Sequence, residues 1–242
     1  MSAMQNPSSG ATLPLLTAIS SMATKALLQQ LLVDYAQQGG AQVKLESVGG
    51  VDAAKRVRAG ECFDLVFLAS DALDGLLAGG HLQAGSKCDL ARSGVAIAVQ
   101  AGAPQPDISS AEAVRDSVLA ARNISYSTGP SGVALARLFA QWGIEQALLG
   151  RIVTAPPGVP VGSLVARGEV ELGFQQRSEL LNLQGISLLG DLPPSIQITT
   201  TFSGAVGQGC VHPQAARALL HYLTSPAAAA TIRAQGMEPA AA

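Results

Sequence analysis

Short apolar runs alternate with helical repeats along almost the whole chain, and that alternation limits the fold more than any other feature. Residues 64–69 (DLVFLA) form an apolar run bounded by polar residues, the pattern of a parallel strand buried on both faces, and a helix over 71–78 follows at once. Upstream, the run 13–19 ends in Ser20-Ser21 and gives way to 23–35, where Leu27, Leu28, Leu31 and Leu32 recur at helical spacing. Residues 42–48 alternate apolar and polar side chains before Gly49-Gly50 and a helix over 52–59. The same reading predicts strands over 94–100, 123–127, 151–154, 172–174, 186–189, 197–201 and 205–206. Helices are predicted over 111–121, 133–142, 160–167, 214–223 and 226–234. Strands alternating with helices define an α/β chain with mostly parallel sheets. So many units are more than one open sheet usually holds, so two lobes are expected. Their expected bounds are 13–92 with 199–242 for the first and 93–198 for the second, after a disordered leader over 1–12.

Several functions are disfavoured by composition. A net charge of -2 over 242 residues offers no field to capture a polyanion, so nucleic acid is not an expected partner. The longest apolar runs, such as 95–99, fall far short of the roughly 20 residues of a bilayer span, so no membrane insertion is expected. Cys62, Cys88 and Cys210 are odd in number and scattered, which reads as free thiols. His81, His212 and His221 fall in no cluster with metal-ligand spacing, and no sequence pattern points to a metal or cofactor. There is also no Gly-x-Ser-x-Gly elbow to suggest a hydrolase. Residues 1–12 carry no basic or apolar stretch of a secretory signal. The expectation is a cytoplasmic protein as the sequence stands, or a periplasmic one if a signal has been removed.

The chemistry concentrates at three strand-to-helix junctions built from small polar residues. These are Ser20-Ser21, Gly49-Gly50 and the turn Ser127-Thr128-Gly129-Pro130-Ser131-Gly132. Unpaired N–H groups at a helix start, the helix dipole and nearby hydroxyls together favour a small anion, and glycine lets a ligand approach the backbone. Any one such junction is more often only a cap. Three of them, at strand ends where ligands of open α/β sheets lie, point to binding. The candidate ligand residues are Ser20, Ser21, Gly49, Gly50, Ser127, Gly129, Ser131 and Gly132. Arg92 joins them as a group able to pair with a carboxylate, and Tyr126 is a neighbouring polar group.

These same stretches carry a resemblance. Ala18-Ile19-Ser20-Ser21, the stretch from Ala59 to Val66 with Ala69-Ser70, the strand over 93–99, the Ser-Thr-Gly-Pro-Ser-Gly turn and Glu171-Leu172-Gly173-Phe174-Gln175-Gln176 together resemble the molybdate-binding family of substrate-binding proteins. The resemblance spans residues 13–238 and implies a type II periplasmic-binding fold, two lobes that close on a small anion held by neutral donors. A transporter would be a partner only if the protein is exported. Members that bind molybdate present a serine pair at the second junction, where this chain has Gly49-Gly50, and Thr200-Thr201-Phe202 does not clearly match their aromatic hydroxyl. An organic acid therefore fits at least as well as an oxyanion. The alternative reading is a cofactor-free, aconitate-isomerase-like enzyme that moves the double bond of a tricarboxylate, although the sequence alone nominates no base for it. A cytoplasmic anion sensor is a third reading, with no helix-turn-helix to accompany it.

Overall fold

The computed structural model describes residues 13–156 and 158–240, so the leader expected over 1–12 lies outside the described residues. The strands are β1 (Leu15–Ser21), β2 (Gln42–Val48), β3 (Leu65–Ala69), β4 (Cys88–Gln100), β5 (Ile124–Tyr126), β6 (Leu172–Gln176), β7 (Ile186–Asp191), β8 (Thr199–Val206) and β9 (Glu238–Pro239). The helices are α1 (Lys25–Gln37), α2 (Gly50–Arg58), α3 (Ser70–Ala78), α4 (Ala111–Ala120), α5 (Pro130–Gln141), α6 (Val161–Ala166), α7 (Arg177–Leu180), α8 (Pro213–Leu223) and α9 (Ala229–Ala234). A short 3-10 turn, Met22–Thr24, separates β1 from α1.

Side-chain alternation explains where the core forms. Along β1, Leu16 and Ala18 face a cluster completed by Leu27, Leu28, Leu31 and Leu32 of α1, whereas Ile19 faces the opposite cluster with Val57 and Leu73. All five residues of β3 are buried, as its unbroken apolar run requires. A separate cluster gathers Val95, Ile97 and Val99 with Val114, Val118, Phe139 and Phe174.

Among the described residues the strands join in one path, β2-β1-β3-β8-β4-β6-β5, with β7 and β9 also paired to β4. The α/β class is as expected, but the expectation of mostly parallel sheets needs correction. Only β1–β2, β1–β3 and β5–β6 are parallel, while β8 runs antiparallel to β3 and β4, and β4 runs antiparallel to β6, β7 and β9. The two expected sheets are also joined, because β4 is 13 residues long and serves both. Its residues 88–94 pair with β8, and 95–100 pair with β6 and β7.

At the changeover the Val95 N–H donates to the Ile198 carbonyl at 3.1 Å and to Gln197 Oε1 at 3.0 Å. The Gln197 amide lies where a Cβ of residue 94 would be, 2.8 Å from that position, so glycine at 94 makes room for it. Gly204 has a similar role within β8. It looks like a break in the sequence, yet a Cβ there would meet the Phe67 ring and Leu220 at 2.7 Å, so one continuous strand replaces the two expected. The strand expected over 151–154 is reduced to a single bridge between Ile124 and Ile152, since β5 itself is only 3 residues long.

Parallel pairing brings the ends that matter together. The C-terminal ends of β1, β2 and β3 lead into the 3-10 turn, α2 and α3 along one edge, and those of β5 and β6 lead towards α5 and α7 along another.

Gly132 is fixed by packing. A Cβ there would fall 1.5 Å from the Ser127 carbonyl oxygen. Gly132→Ala is expected to cost about 3 kcal/mol or more by overpacking against backbone that cannot yield. Thermal unfolding measures this, and an unchanged melting temperature would contradict it.

Candidate functional site

The first two junctions form one cluster. Strand register sets Ser20 beside Ser47 and Ser21 beside Val48, and the Ser20 and Ser47 hydroxyls lie 2.8 Å apart. Ser21 precedes the 3-10 turn in extended conformation, with its hydroxyl 3.4 Å from Thr24 Oγ1. Gly49 is the cap residue of α2 and carries no side-chain cap. A Cβ on Gly50 would lie 3.5 Å from Ser21 Cβ, an ordinary contact, so glycine there leaves open backbone against the first junction. Ser47 restores one of the hydroxyls that Gly49-Gly50 lacks. It was legible as the last polar residue of an alternating strand, but only register brings it to Ser20.

The third junction forms a second cluster. Gly129 is the cap of α5, Pro130 is its first residue, and the Ser127 and Ser131 hydroxyls are 3.0 Å apart. Ser131 is buried and lines a cavity of about 380 Å³ together with Ser70, Asp71, Thr199 and Thr200. That is within the range of small-molecule sites. Asp71 accepts from the Ala72 N–H at the start of α3, and Asp74, also on the wall, is paired with Lys87 at 2.6 Å. A larger cavity of about 670 Å³ lies between the loop at Pro104 and Pro106 and α4, and holds none of the candidate residues.

Arg92 is placed elsewhere. It is exposed, stands opposite Thr201 of β8 and Glu238 of β9, and its guanidinium reaches the Pro239 carbonyl at 3.5 Å. Tyr126 packs edge-on against Phe139, with ring centroids 5.9 Å apart, as a neighbour of the core.

The junction between β6 and α7 was not singled out from sequence, although it has the same form as the others. Gln176 caps α7, is 4% exposed, and donates through Nε2 to Thr200 Oγ1 at 2.8 Å. Its Oε1 is buried without a hydrogen-bond partner among the described residues. A buried amide oxygen left unpaired costs about 1 to 3 kcal/mol, and as an acceptor it is satisfied only by a donor such as a water or a hydroxyl. Ser178 ties α7 to the first cluster by donating to the Ala23 carbonyl at 2.9 Å. The cavity wall, Gln176 and the 3-10 turn after Ser21 are thus linked in sequence by Thr200, Gln176 and Ser178.

Glu179 follows in the same helix. Gln175 donates from Nε2 to Glu179 Oε1 at 2.8 Å while its Oε1 accepts from the Gly162 N–H at 3.0 Å. Burial pushes the Glu179 carboxyl up to about 7, against the opposing effect of the Gln175 hydrogen bond.

The match to known proteins agrees with this geometry. From residue 16 to 238 the chain matches the bacterial extracellular solute-binding proteins, and it belongs to that family. It is 37% identical over 230 residues to an aconitate isomerase from Pseudomonas sp, covering 93% of this chain and 87% of that one. Among solved structures it is similar to the periplasmic molybdate-binding protein of Azotobacter vinelandii, with a TM-score of 0.76 at 21% identity, covering 92% of this chain and 98% of that one. A similar likeness links it to the sulfate-binding protein SubI of Mycobacterium tuberculosis H37Rv, with a TM-score of 0.76 at 15% identity, covering 94% and 87%. These two structures establish the periplasmic-binding-protein fold. No helix among the described residues is long and apolar enough to cross a membrane.

Because Glu179 binds its proton more tightly when folded than its ordinary value of 4.5 allows, the stability it contributes is complete below about pH 4.5 and lost as pH rises through 7. Glu179→Gln is therefore expected to be more stable than the parent by up to about 3 kcal/mol at pH 8, and close to it at pH 4. Chemical denaturation at the two pH values measures this, and a difference independent of pH would contradict it.

Proposed function

We propose that the protein binds a small polycarboxylate anion in a cleft between two lobes, residues 13–92 with 199–240 and residues 93–198, which close on it about the β4 and β8 crossover. The observation that carries binding is the cavity of about 380 Å³ at the start of α3 and α5, whose wall carries Ser70, Ser131, Thr199 and Thr200. The proposed ligand groups are Ser20, Ser21, Gly49, Gly50, Ser127, Gly129, Ser131 and Gly132, to which this proposal adds Ser47 beside Ser20, Thr200 on the cavity wall and the Gln176 amide N–H. Arg92 has no part in this proposal.

Neutral donors suit an anion whose charge is spread over several oxygens, since each hydrogen bond to a charged group contributes about 1.5 to 3 kcal/mol. A carboxylate is favoured over a tetrahedral oxyanion by the open backbone at Gly49-Gly50 and by the 37% identity to an aconitate isomerase across 93% of the chain. The same relative favours a second reading, in which the bound acid is isomerised without a cofactor. The extracellular description of the family supports the exported alternative for its compartment, with a membrane transporter as partner in that case.

A thermal-shift panel of trans-aconitate, cis-aconitate, citrate, molybdate and sulfate tests the ligand class. At a hundredfold excess over its dissociation constant the true ligand stabilises the fold by about 2.7 kcal/mol. One of the carboxylates is expected to do so and the oxyanions are not; stabilisation by molybdate or sulfate alone would overturn the carboxylate reading. In calorimetric titration Ser131→Ala is expected to weaken binding by about 1.5 to 3 kcal/mol, or roughly 10- to 150-fold. Unchanged affinity would remove Ser131 from the site.

A further inference from the structure

We infer that Asp71 is the proton-transfer group of an allylic isomerisation in the cavity at the start of α3 and α5, its Oδ2 taking a proton from the methylene carbon of a bound unsaturated polycarboxylate and returning it to the far carbon of the double bond. This rests on the isomerase reading and gives that reading a base, which sequence alone does not nominate.

The make-up of the cavity wall is the first support. Ser70 and Asp71 open α3, Pro130 and Ser131 open α5, and Thr199, Thr200 and Thr201 begin β8. Among the described residues no histidine, cysteine, tyrosine, lysine or glutamate lines this cavity, and its titratable side chains are Asp71 and Asp74. Asp74 is occupied by its ion pair with Lys87 at 2.6 Å. Asp71 Oδ1 accepts from the Ala72 N–H at 2.9 Å, which ties the carboxylate to the start of α3, and its Oδ2 has no hydrogen bond among the described residues. A general base must stand within hydrogen-bond reach of the proton it removes, and Asp71 is the carboxylate of this wall with an oxygen to spare. Glu179, the buried carboxyl of α7, is bonded to Gln175 and lines neither cavity.

The uneven chemistry of the wall is the second support. An ionised Asp71 offers only acceptors, whereas Ser131 and the three threonines of β8 offer hydroxyl protons. A ligand carboxylate turned towards Asp71 would meet a like charge, and one turned towards α5 and β8 meets donors. Thr200 is set up for this, because its Oγ1 accepts from Gln176 Nε2 at 2.8 Å and so keeps its own proton for a ligand. A polycarboxylate therefore lies with its carboxylates against α5 and β8, which leaves its carbon chain towards Asp71. In an unsaturated polycarboxylate the acidic bond of that chain is the methylene C–H next to the double bond.

The step balances without an oxidant or co-reactant. The methylene C–H bond breaks, its proton forms an O–H bond at Asp71, and the electron pair spreads over three carbons and the carboxylates attached to them. The proton then forms a C–H bond at the other terminal carbon, the double bond moves by one position, and the Asp71 carboxylate is regenerated. Hydroxyls of Ser131 and the β8 threonines stabilise the negative charge that accumulates on the substrate carboxylates in between.

The test follows trans-aconitate by proton NMR in D2O with the parent protein, Asp71→Asn, Asp71→Glu and Asp74→Asn, alongside thermal shift with the same acid. Asp71→Asn keeps an acceptor for the Ala72 N–H and removes the base. The parent is expected to interconvert the isomers and to incorporate deuterium. Asp71→Asn is expected to lose roughly 10²- to 10⁴-fold in both rates while keeping the ligand-induced stabilisation, with Asp71→Glu retaining part of the rate and Asp74→Asn staying within about tenfold of the parent. If Asp71→Asn turns over within threefold of the parent, the assignment is overturned and the isomerase reading stands. If it loses stabilisation together with turnover, Asp71 is a binding group, and if Asp74→Asn loses as much rate, the charge of the wall and not a proton acceptor sets turnover; either result overturns the assignment. A parent protein that is stabilised by the acid but neither isomerises nor exchanges it overturns both the assignment and the isomerase reading.

Discussion

Everything in this fold depends on β4 changing partners in mid-strand. Between Gly94 and Val95 it leaves β8 and takes up β6 and β7, so a single 13-residue strand carries the backbone hydrogen bonding of one core into the other. At the changeover the Gln197 side chain accepts from the Ile198 N–H and adds a second acceptor for the Val95 N–H, which also reaches the Ile198 carbonyl. The absence of a side chain at Gly94 is what admits that amide. Joining two cores by strands rather than by a linker keeps the crossing backbone hydrogen-bonded on both sides.

From that constraint the site follows. Parallel strands on each side of the crossover end in short turns, and each turn delivers a helix start or a small hydroxyl at its strand end. Hydrogen bonds within each cluster hold its hydroxyls in place, Ser20 against Ser47 and Ser127 against Ser131. The polar wall contains carboxylates as well, and these are satisfied internally by a helix start and by Lys87. What the proposed site offers an anion is therefore a set of oriented N–H and O–H groups and not a cationic surface. The net charge of -2 is consistent with a ligand recognised at close range and not steered from a distance.

Most of the element order was legible because the period of the apolar residues is a local property. The five buried residues of β3 and the four leucines of α1 declare their elements directly. Direction was not legible. The antiparallel insertion of β8 depends on contacts more than a hundred residues apart, such as Phe67 with Gly204, and no local pattern encodes them. Ser20, Ser21 and Ser131 were visible as junction residues, and Ser47 became a partner only through register. Arg92 was misleading for the opposite reason, since its residue type suits a carboxylate but its strand position turns it towards β9. Gln176 and Glu179 are ordinary surface types in composition. Only burial distinguishes them, leaving one with an unpaired oxygen and the other with a proton held near neutrality.

A crystal structure of the protein grown with trans-aconitate tests the central claim most directly. The ligand is predicted in the cavity lined by Ser70, Ser131, Thr199 and Thr200, with carboxylate oxygens within hydrogen-bond distance of Ser131 and Thr200. A ligand bound instead in the larger cavity beside α4 would contradict it.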